Sequence, residues 1–194
     1  MRLSPIEKPP TLLGRVLSFA QRRVLGKAIT PAKVVYNRVP RMWNVSWALV
    51  MLDLRGFTLP HELLYLMHVR ISLLNGCAFC QDIVLARAVQ EKLGLDKFRA
   101  LSADWRASPL FSDRERAALA YAEEATLHKE VSDASFGALQ KHFSEREIAE
   151  LVVETAKSNF YNLLNVPLQI PDDGLLALAE RRAARERRSP RSRS

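Results

Sequence analysis

The stretch Asn75-Gly76-Cys77-Ala78-Phe79-Cys80-Gln81-Asp82 decides how this 194-residue chain is read. Asn-Gly is a strong chain-turning pair, and here it separates two stretches whose apolar residues recur at helical spacing. Upstream, Thr58 ahead of Pro60 is a start signal, because proline tolerates the first helical turn, and the helix runs to Leu74. Downstream, a second helix begins around Cys77 and reaches about Leu93. The quoted stretch is the bend between two helices, with both cysteines of the chain at the start of the second.

The same periodicity extends outward from this bend. Leu12, Leu13, Val16, Leu17, Ala20 and Val24 predict a helix over 11–25, with Arg15, Arg22 and Arg23 towards solvent. Trp43, Trp47, Val50, Met51 and Leu54 predict another at about 42–54. Further helices are expected at about 95–103, 112–127, 132–142, 145–163 and 175–188. Ser112 with Glu115 and Ser144 with Glu147 fit the capping box, in which serine and glutamate satisfy unpaired amides at a helix start. Most of the seven glycines fall between these stretches, and no segment alternates with period two for long enough to form a sheet.

The expected fold is therefore all-α, a single-domain helical bundle. Phe57-Thr58 and its helix resemble Phe143-Ser144 and its helix at an offset of 86 residues, as an internal two-hairpin repeat would produce. The expected division is a basic N-terminal helical extension over 1–29, a helical domain over 30–174, and a C-terminal helix with a disordered Arg/Ser tail over 175–194.

Composition bounds the function. With 48% apolar and 26% charged residues the chain can bury a core, which excludes disordered, collagenous and disulfide-scaffold classes. No apolar run approaches the roughly 20 residues of a membrane span, and the first 30 residues lack the order of a secretory signal, so a cytoplasmic protein is expected. The net charge of +8 is unevenly placed. Residues 1–41 hold nine basic residues and one acid, and 179–194 hold seven Arg and two Glu. Residues 42–178 hold 13 basic and 18 acidic residues, a net −5. The Arg187, Arg188, Arg191 and Arg193 tail attracts phosphates but has no interleaved aromatic residue to stack bases, which argues against nucleic acid as the partner.

The C-x-x-C pair places two sulfurs on one helical face, close enough to form a disulfide after a small adjustment. Near unpaired amides at a helix start, a thiol is shifted towards thiolate, the attacking form. One sulfur can then be oxidised and the other can resolve it as a disulfide. Two other readings stand beside this one: two small soft side chains filling a core, or zinc binding. Zinc needs about four ligands and a second C-x-x-C is absent, so neither metal nor cofactor is expected.

The run Leu63-Leu64-Tyr65-Leu66, Arg70-Ile71-Ser72 and Asn75 to Asp82 resembles the signature of the carboxymuconolactone decarboxylase and alkylhydroperoxidase D-like superfamily. Tyr36 to Pro40 upstream, and Leu110 to Ala120 and Asn162 to Leu168 downstream, extend the resemblance over about residues 30–171. It implies an all-α homo-oligomer with active sites near subunit contacts. Its alkylhydroperoxidase D-like branch implies a thiol peroxidase or disulfide reductase with Cys77 and Cys80 as catalytic residues. The substrate would be a hydroperoxide and the reductant a thiol or dithiol, in antioxidant defence.

That branch carries a Glu twelve residues before the first Cys and a His four residues after the second, as a proton relay. Here Tyr65 and Val84 stand at those positions. Candidate replacements are the Tyr65 hydroxyl, His68 one turn beyond it, Glu62 one turn before it, and Asp82, whose simpler role is to favour the first turn of its own helix. Trp43 and Trp47 are read as core packing or as the lining of a ligand pocket or subunit contact. Asn162 and Asn165 stand near the end of a long helix, within reach of capping it. Cys80 is expected to attack and Cys77 to resolve. A non-catalytic or weakly active oligomer that binds a partner is the alternative, and lactone decarboxylation fits less well because it does not rest on a C-x-x-C.

Overall fold

The computed structural model describes residues 1–188, and the remainder of the Arg/Ser tail lies outside them. Nine α-helices account for the described core, and among these residues there is no strand: α1 (Leu12–Leu25), α2 (Met42–Arg55), α3 (His61–Asn75), α4 (Ala78–Gln90), α5 (Asp96–Ala100), α6 (Asp113–His128), α7 (Asp133–His142), α8 (Glu145–Asn165) and α9 (Leu175–Arg188). A π-helical turn at Ala32–Tyr36, which periodicity alone does not reveal, leads from α1 towards α2.

Both capping boxes form as their spacing predicts, Ser112 with Glu115 on α6 and Ser144 with Glu147 on α8. The start of α3 is different. It has no side-chain cap of its own. Glu150, on the neighbouring α8, reaches across to accept from the backbone N–H groups of Thr58 (2.8 Å) and Leu59 (3.0 Å).

Two apolar clusters organise the bundle. The first lies among α3, α6 and α8 and contains Leu66, Met67, Leu119 and Leu151; the second contains Tyr36, Trp43, Phe79, Leu175 and Ala179. Helix α4 serves both, with Val84 and Ala88 in the first cluster and Phe79, Cys80 and Ala86 in the second. Packing therefore continues past Pro171, because Leu175 and Ala179 of α9 are buried.

Asp82 explains why α9 docks there. Its carboxylate accepts from the backbone N–H groups of Asp173 (3.0 Å), Leu175 (2.9 Å) and Leu176 (2.9 Å). Asp82 thus caps α9 instead of serving the first turn of its own helix. The far end of α1 is tied to the same corner, through Lys27 to Asp173 (3.0 Å) and Arg182 to the Val24 carbonyl (2.9 Å). Along its length α1 comes close to Trp43, and a Cβ at Gly14 would stand 2.8 Å from the indole nitrogen, so only glycine permits this approach. The outer side of α1 leaves Leu12, Val16, Phe19 and Val24 exposed.

Candidate active site

The bend between α3 and α4 fixes the two sulfurs. Gly76 ends α3 in the left-handed region at φ 69°, and the Cys77 N–H bonds back to the Ser72 carbonyl at 2.8 Å, a Schellman-type ending. Cys77 is thereby the N-cap of α4, and its Sγ accepts from the Cys80 N–H at 3.3 Å. The two cysteines are joined in a disulfide with their Cα atoms 5.3 Å apart. Both are buried, but Cys80 borders a cavity of about 520 Å³ enclosed by α1, α2, α3, α4 and α8.

The cavity is chiefly apolar and aromatic. Trp43 is fully buried in its wall, edge-on to Tyr36 with ring centroids 5.4 Å apart, and its indole N–H donates to Asn37. Trp47, four residues on, also lines the cavity but is half exposed. The two tryptophans therefore divide the roles that spacing left open. Val84, at the relay histidine's position, is a plain wall residue. Tyr36 and Tyr161 also line the space. Burial pushes the Tyr36 phenol up to about 12, with Tyr161 raised in the same direction, so both are neutral hydrogen-bond donors at physiological pH.

A chain of paired charges, buried at Lys157 and Glu154 and half-buried at Asp53 and Arg87, runs along one wall. Lys157 on α8 pairs with Asp53 on α2 and with Glu154 (2.5 Å), while Arg87 on α4 takes the other Asp53 oxygen at 3.3 Å. Two cations thus face two carboxylates here, and the Glu91 carboxylate lines the cavity as well. Glu154 continues the chain inward. Ser158 Oγ donates to Glu154 at 2.9 Å, and His68 Nδ1 lies 3.0 Å from that hydroxyl and 3.4 Å from the Glu154 carboxylate. Burial opposes ionisation of Glu154, but the His68 hydrogen bond and the Lys157 charge outweigh it and hold the carboxyl below its usual range. With Nδ1–H donating into this pair, His68 keeps a lone pair on Nε2, on a ring that itself lines the cavity.

The other relay candidates separate. The Tyr65 hydroxyl also lines the cavity, but it donates to Glu91 at 2.6 Å, and His61 holds the second Glu91 oxygen at 2.9 Å. Burial, together with the Glu91 carboxylate, raises the Tyr65 phenol above its ordinary range. Glu62 pairs with Lys97 at 3.3 Å and is not among the cavity residues. Asp82 is occupied by α9. Arg70, part of the quoted signature, binds Glu123 and the Leu101 carbonyl and is structural.

The asparagines of α8 reach the bend. Asn75 donates to Asn162, which in turn donates to Ser72 Oγ. Asn165 Nδ2 lies 3.4 Å from Cys80 Sγ. Residues 53, 87, 154, 157 and 158 escaped the sequence reading because no motif links them, although the Glu154 and Lys157 spacing does mark a helical pair. Among the described residues no His, Cys, Asp or Glu cluster has the make-up of a metal site, and no helix is long and apolar enough to cross a membrane. A second hollow, of about 500 Å³ between the N-terminal segment and α1, has neither cysteine nor histidine in its wall.

Comparisons with known proteins agree with the fold. The profile of the Carboxymuconolactone decarboxylase family matches residues 38–124, which span α2 to most of α6. YnjA, an uncharacterized protein of Escherichia coli, is 34% identical over 185 residues, covering 94% of this chain and all of that protein. A protein of unknown function from Agrobacterium tumefaciens, considered an AhpD-type antioxidant defence protein, shares 28% identity and a TM-score of 0.66, over 72% of this chain and 96% of that one. The alkylhydroperoxidase AhpD core of a peroxidase-related protein from Ralstonia eutropha shares the fold, with a TM-score of 0.74 at 20% identity over 91% and 97% of the chains. With the C-x-x-C at the start of α4 inside the matched segment, the chain belongs to the carboxymuconolactone decarboxylase family.

Proposed function

We propose that the protein is a thiol peroxidase acting on apolar organic hydroperoxides, with Cys80 attacking and Cys77 resolving. The observation that carries this reading is the juxtaposition of a closed Cys77–Cys80 pair with a cavity that Cys80 borders. In the reduced protein the Cys80 thiolate attacks the terminal oxygen of R–O–O–H. The O–O bond breaks, sulfur is oxidised by two electrons to the sulfenic acid S–OH, and R–O⁻ leaves and takes up a proton. The Cys77 thiolate then attacks the Cys80 sulfur, hydroxide departs as water after protonation, and the disulfide closes. An external dithiol reopens it by exchange and is itself oxidised to a disulfide.

The two cysteines suit different halves of this cycle. Cys77 sits at the positive end of α4, which favours its thiolate and makes it a ready resolving nucleophile. Cys80 is the sulfur a bound substrate reaches. The Nε2 lone pair of His68 takes up a proton from solvent before turnover and delivers it to the departing alkoxide, while Glu154 and Ser158 hold the ring. The apolar and aromatic lining suits an uncharged, bulky R group better than hydrogen peroxide. The exposed apolar residues of α1 offer a surface for the homo-oligomer that the family resemblance implies.

Stopped-flow consumption of cumene hydroperoxide with excess dithiothreitol tests the reading. Wild type is expected to turn over, and Cys80→Ser to be inactive. Without dithiothreitol, Cys77→Ser is expected to consume one equivalent of hydroperoxide and to hold Cys80 as the sulfenic acid, with no internal disulfide. Equal rates in all three proteins would refute a thiol mechanism.

A further inference from the structure

Asn165 closes α8 but does not cap it with its side chain. Its Nδ2 approaches Cys80 Sγ at 3.4 Å, while its Oδ1 is buried without any partner. The residue is 2% exposed and lines the same cavity as Cys80. Buried amide oxygens are ordinarily satisfied, so an orphan beside a reacting sulfur calls for an explanation. The orientation of the amide has a chemical reason. A thiolate is an acceptor only, so the NH₂ end must face the sulfur, and the reverse orientation would set acceptor against acceptor.

We infer that Asn165 is a catalytic residue of the peroxidase site: its Nδ2–H stabilises the Cys80 thiolate, and its Oδ1 accepts from the O–H of the incoming hydroperoxide. This rests on the peroxidase reading above and deepens it. The helix start favours the thiolate of Cys77 and the His and Glu of the usual relay are missing, so Cys80 needs a donor from elsewhere. Asn165 is the side chain that provides one. Holding the terminal O–H on Oδ1 while Nδ2 holds the sulfur places the attacked oxygen beside the attacking atom. After attack the same O–H stays on sulfur as the sulfenic acid, so the oxygen remains available to it until Cys77 displaces hydroxide. No proton is lost from or gained by Asn165 in the step.

Two readouts on fully reduced full-length protein test this. The first is the pH dependence of Cys80 alkylation by iodoacetamide, with the label located by fragmentation mass spectrometry; it needs no peroxide. Removing a donor to a charged group is worth about a tenfold change in thiolate population. Asn165→Ala is therefore expected to slow Cys80 alkylation about tenfold at neutral pH. Asn165→Asp keeps the shape but sets a carboxylate against the thiolate, and is expected to slow it further. An unshifted Cys80 profile in both variants would overturn the assignment. The second readout is kcat/KM for cumene hydroperoxide. A loss in Asn165→Ala larger than the alkylation loss supports the Oδ1 contact, and an equal loss overturns it. If wild type consumes no peroxide while the alkylation profiles still shift, the peroxidase reading fails and the thiolate contact stands.

Discussion

His68 and Glu154 meet across the α3–α8 packing, with Nδ1 3.4 Å from the carboxylate and Ser158 bridging the two. A buried histidine held by Nδ1 against an ionised carboxylate has its ring orientation fixed, which leaves Nε2 to take up a proton and pass it to one specific atom. His68→Gln is expected to lower turnover of cumene hydroperoxide by about 10²-fold, in the range of a positioned acid. The decisive comparison is with a peracid, whose carboxylate leaving group needs no proton. Its turnover is expected to fall far less, and an equal fall for both substrates would assign His68 a structural role only.

The pairing of Glu150 with the start of α3 predicts an acid sensitivity. Burial opposes ionisation of Glu150, yet the amides of Thr58 and Leu59 and the Thr58 hydroxyl outweigh it, and its carboxyl sits below the usual 4.5. The native state therefore binds this proton less readily than the unfolded chain. The stabilisation is present in full above the unfolded value and is lost as pH falls through the lower folded value. The melting temperature of wild type is expected to drop below about pH 4.5, and Glu150→Gln should be less stable at neutral pH with a flatter acid limb. Parallel melting curves for the two proteins across that range would show that another group governs the effect.

Asp82 predicts a change in stability without loss of sulfur chemistry. Its carboxylate takes three amides at the head of α9, and losing a cap of this kind costs up to about 2 kcal/mol. Asp82→Ala is expected to lower the urea midpoint accordingly and to raise hydrogen exchange in α9. Asp82→Asn should recover part of the loss. If Asp82 belonged to the relay instead, Asp82→Asn would depress peroxide turnover with its urea midpoint unchanged.

Much of this fold is legible in the sequence because its helices announce themselves locally. The Ser112–Glu115 and Ser144–Glu147 boxes, the Asn75-Gly76 stop and the i, i+3, i+4 apolar spacing each act within a turn or two. The cysteine pair at the start of α4 is legible for the same reason. What periodicity cannot supply is which face meets which helix. Glu62 and Tyr65 share a face by spacing, yet Glu62 turns to Lys97 and Tyr65 to Glu91. Asp82 acts on backbone 91 to 94 residues away, and Lys157 meets Asp53 across 104 residues. Such contacts exist only once α2, α4, α8 and α9 are packed, so neither the Asp53 pairings along the cavity nor the Asn165 contact has a local signature.

The central claim is a two-electron cycle between the Cys77–Cys80 disulfide and its dithiol, and the most direct measurement is stoichiometric. Reduced protein is mixed with one equivalent of cumene hydroperoxide, and free thiols and cumyl alcohol are counted after a single turnover. The account predicts that two thiols disappear for each alcohol formed, with the new disulfide mapped to Cys77 and Cys80. Hydroperoxide that decays no faster than with Cys80→Ser, while both thiols remain free, would contradict it.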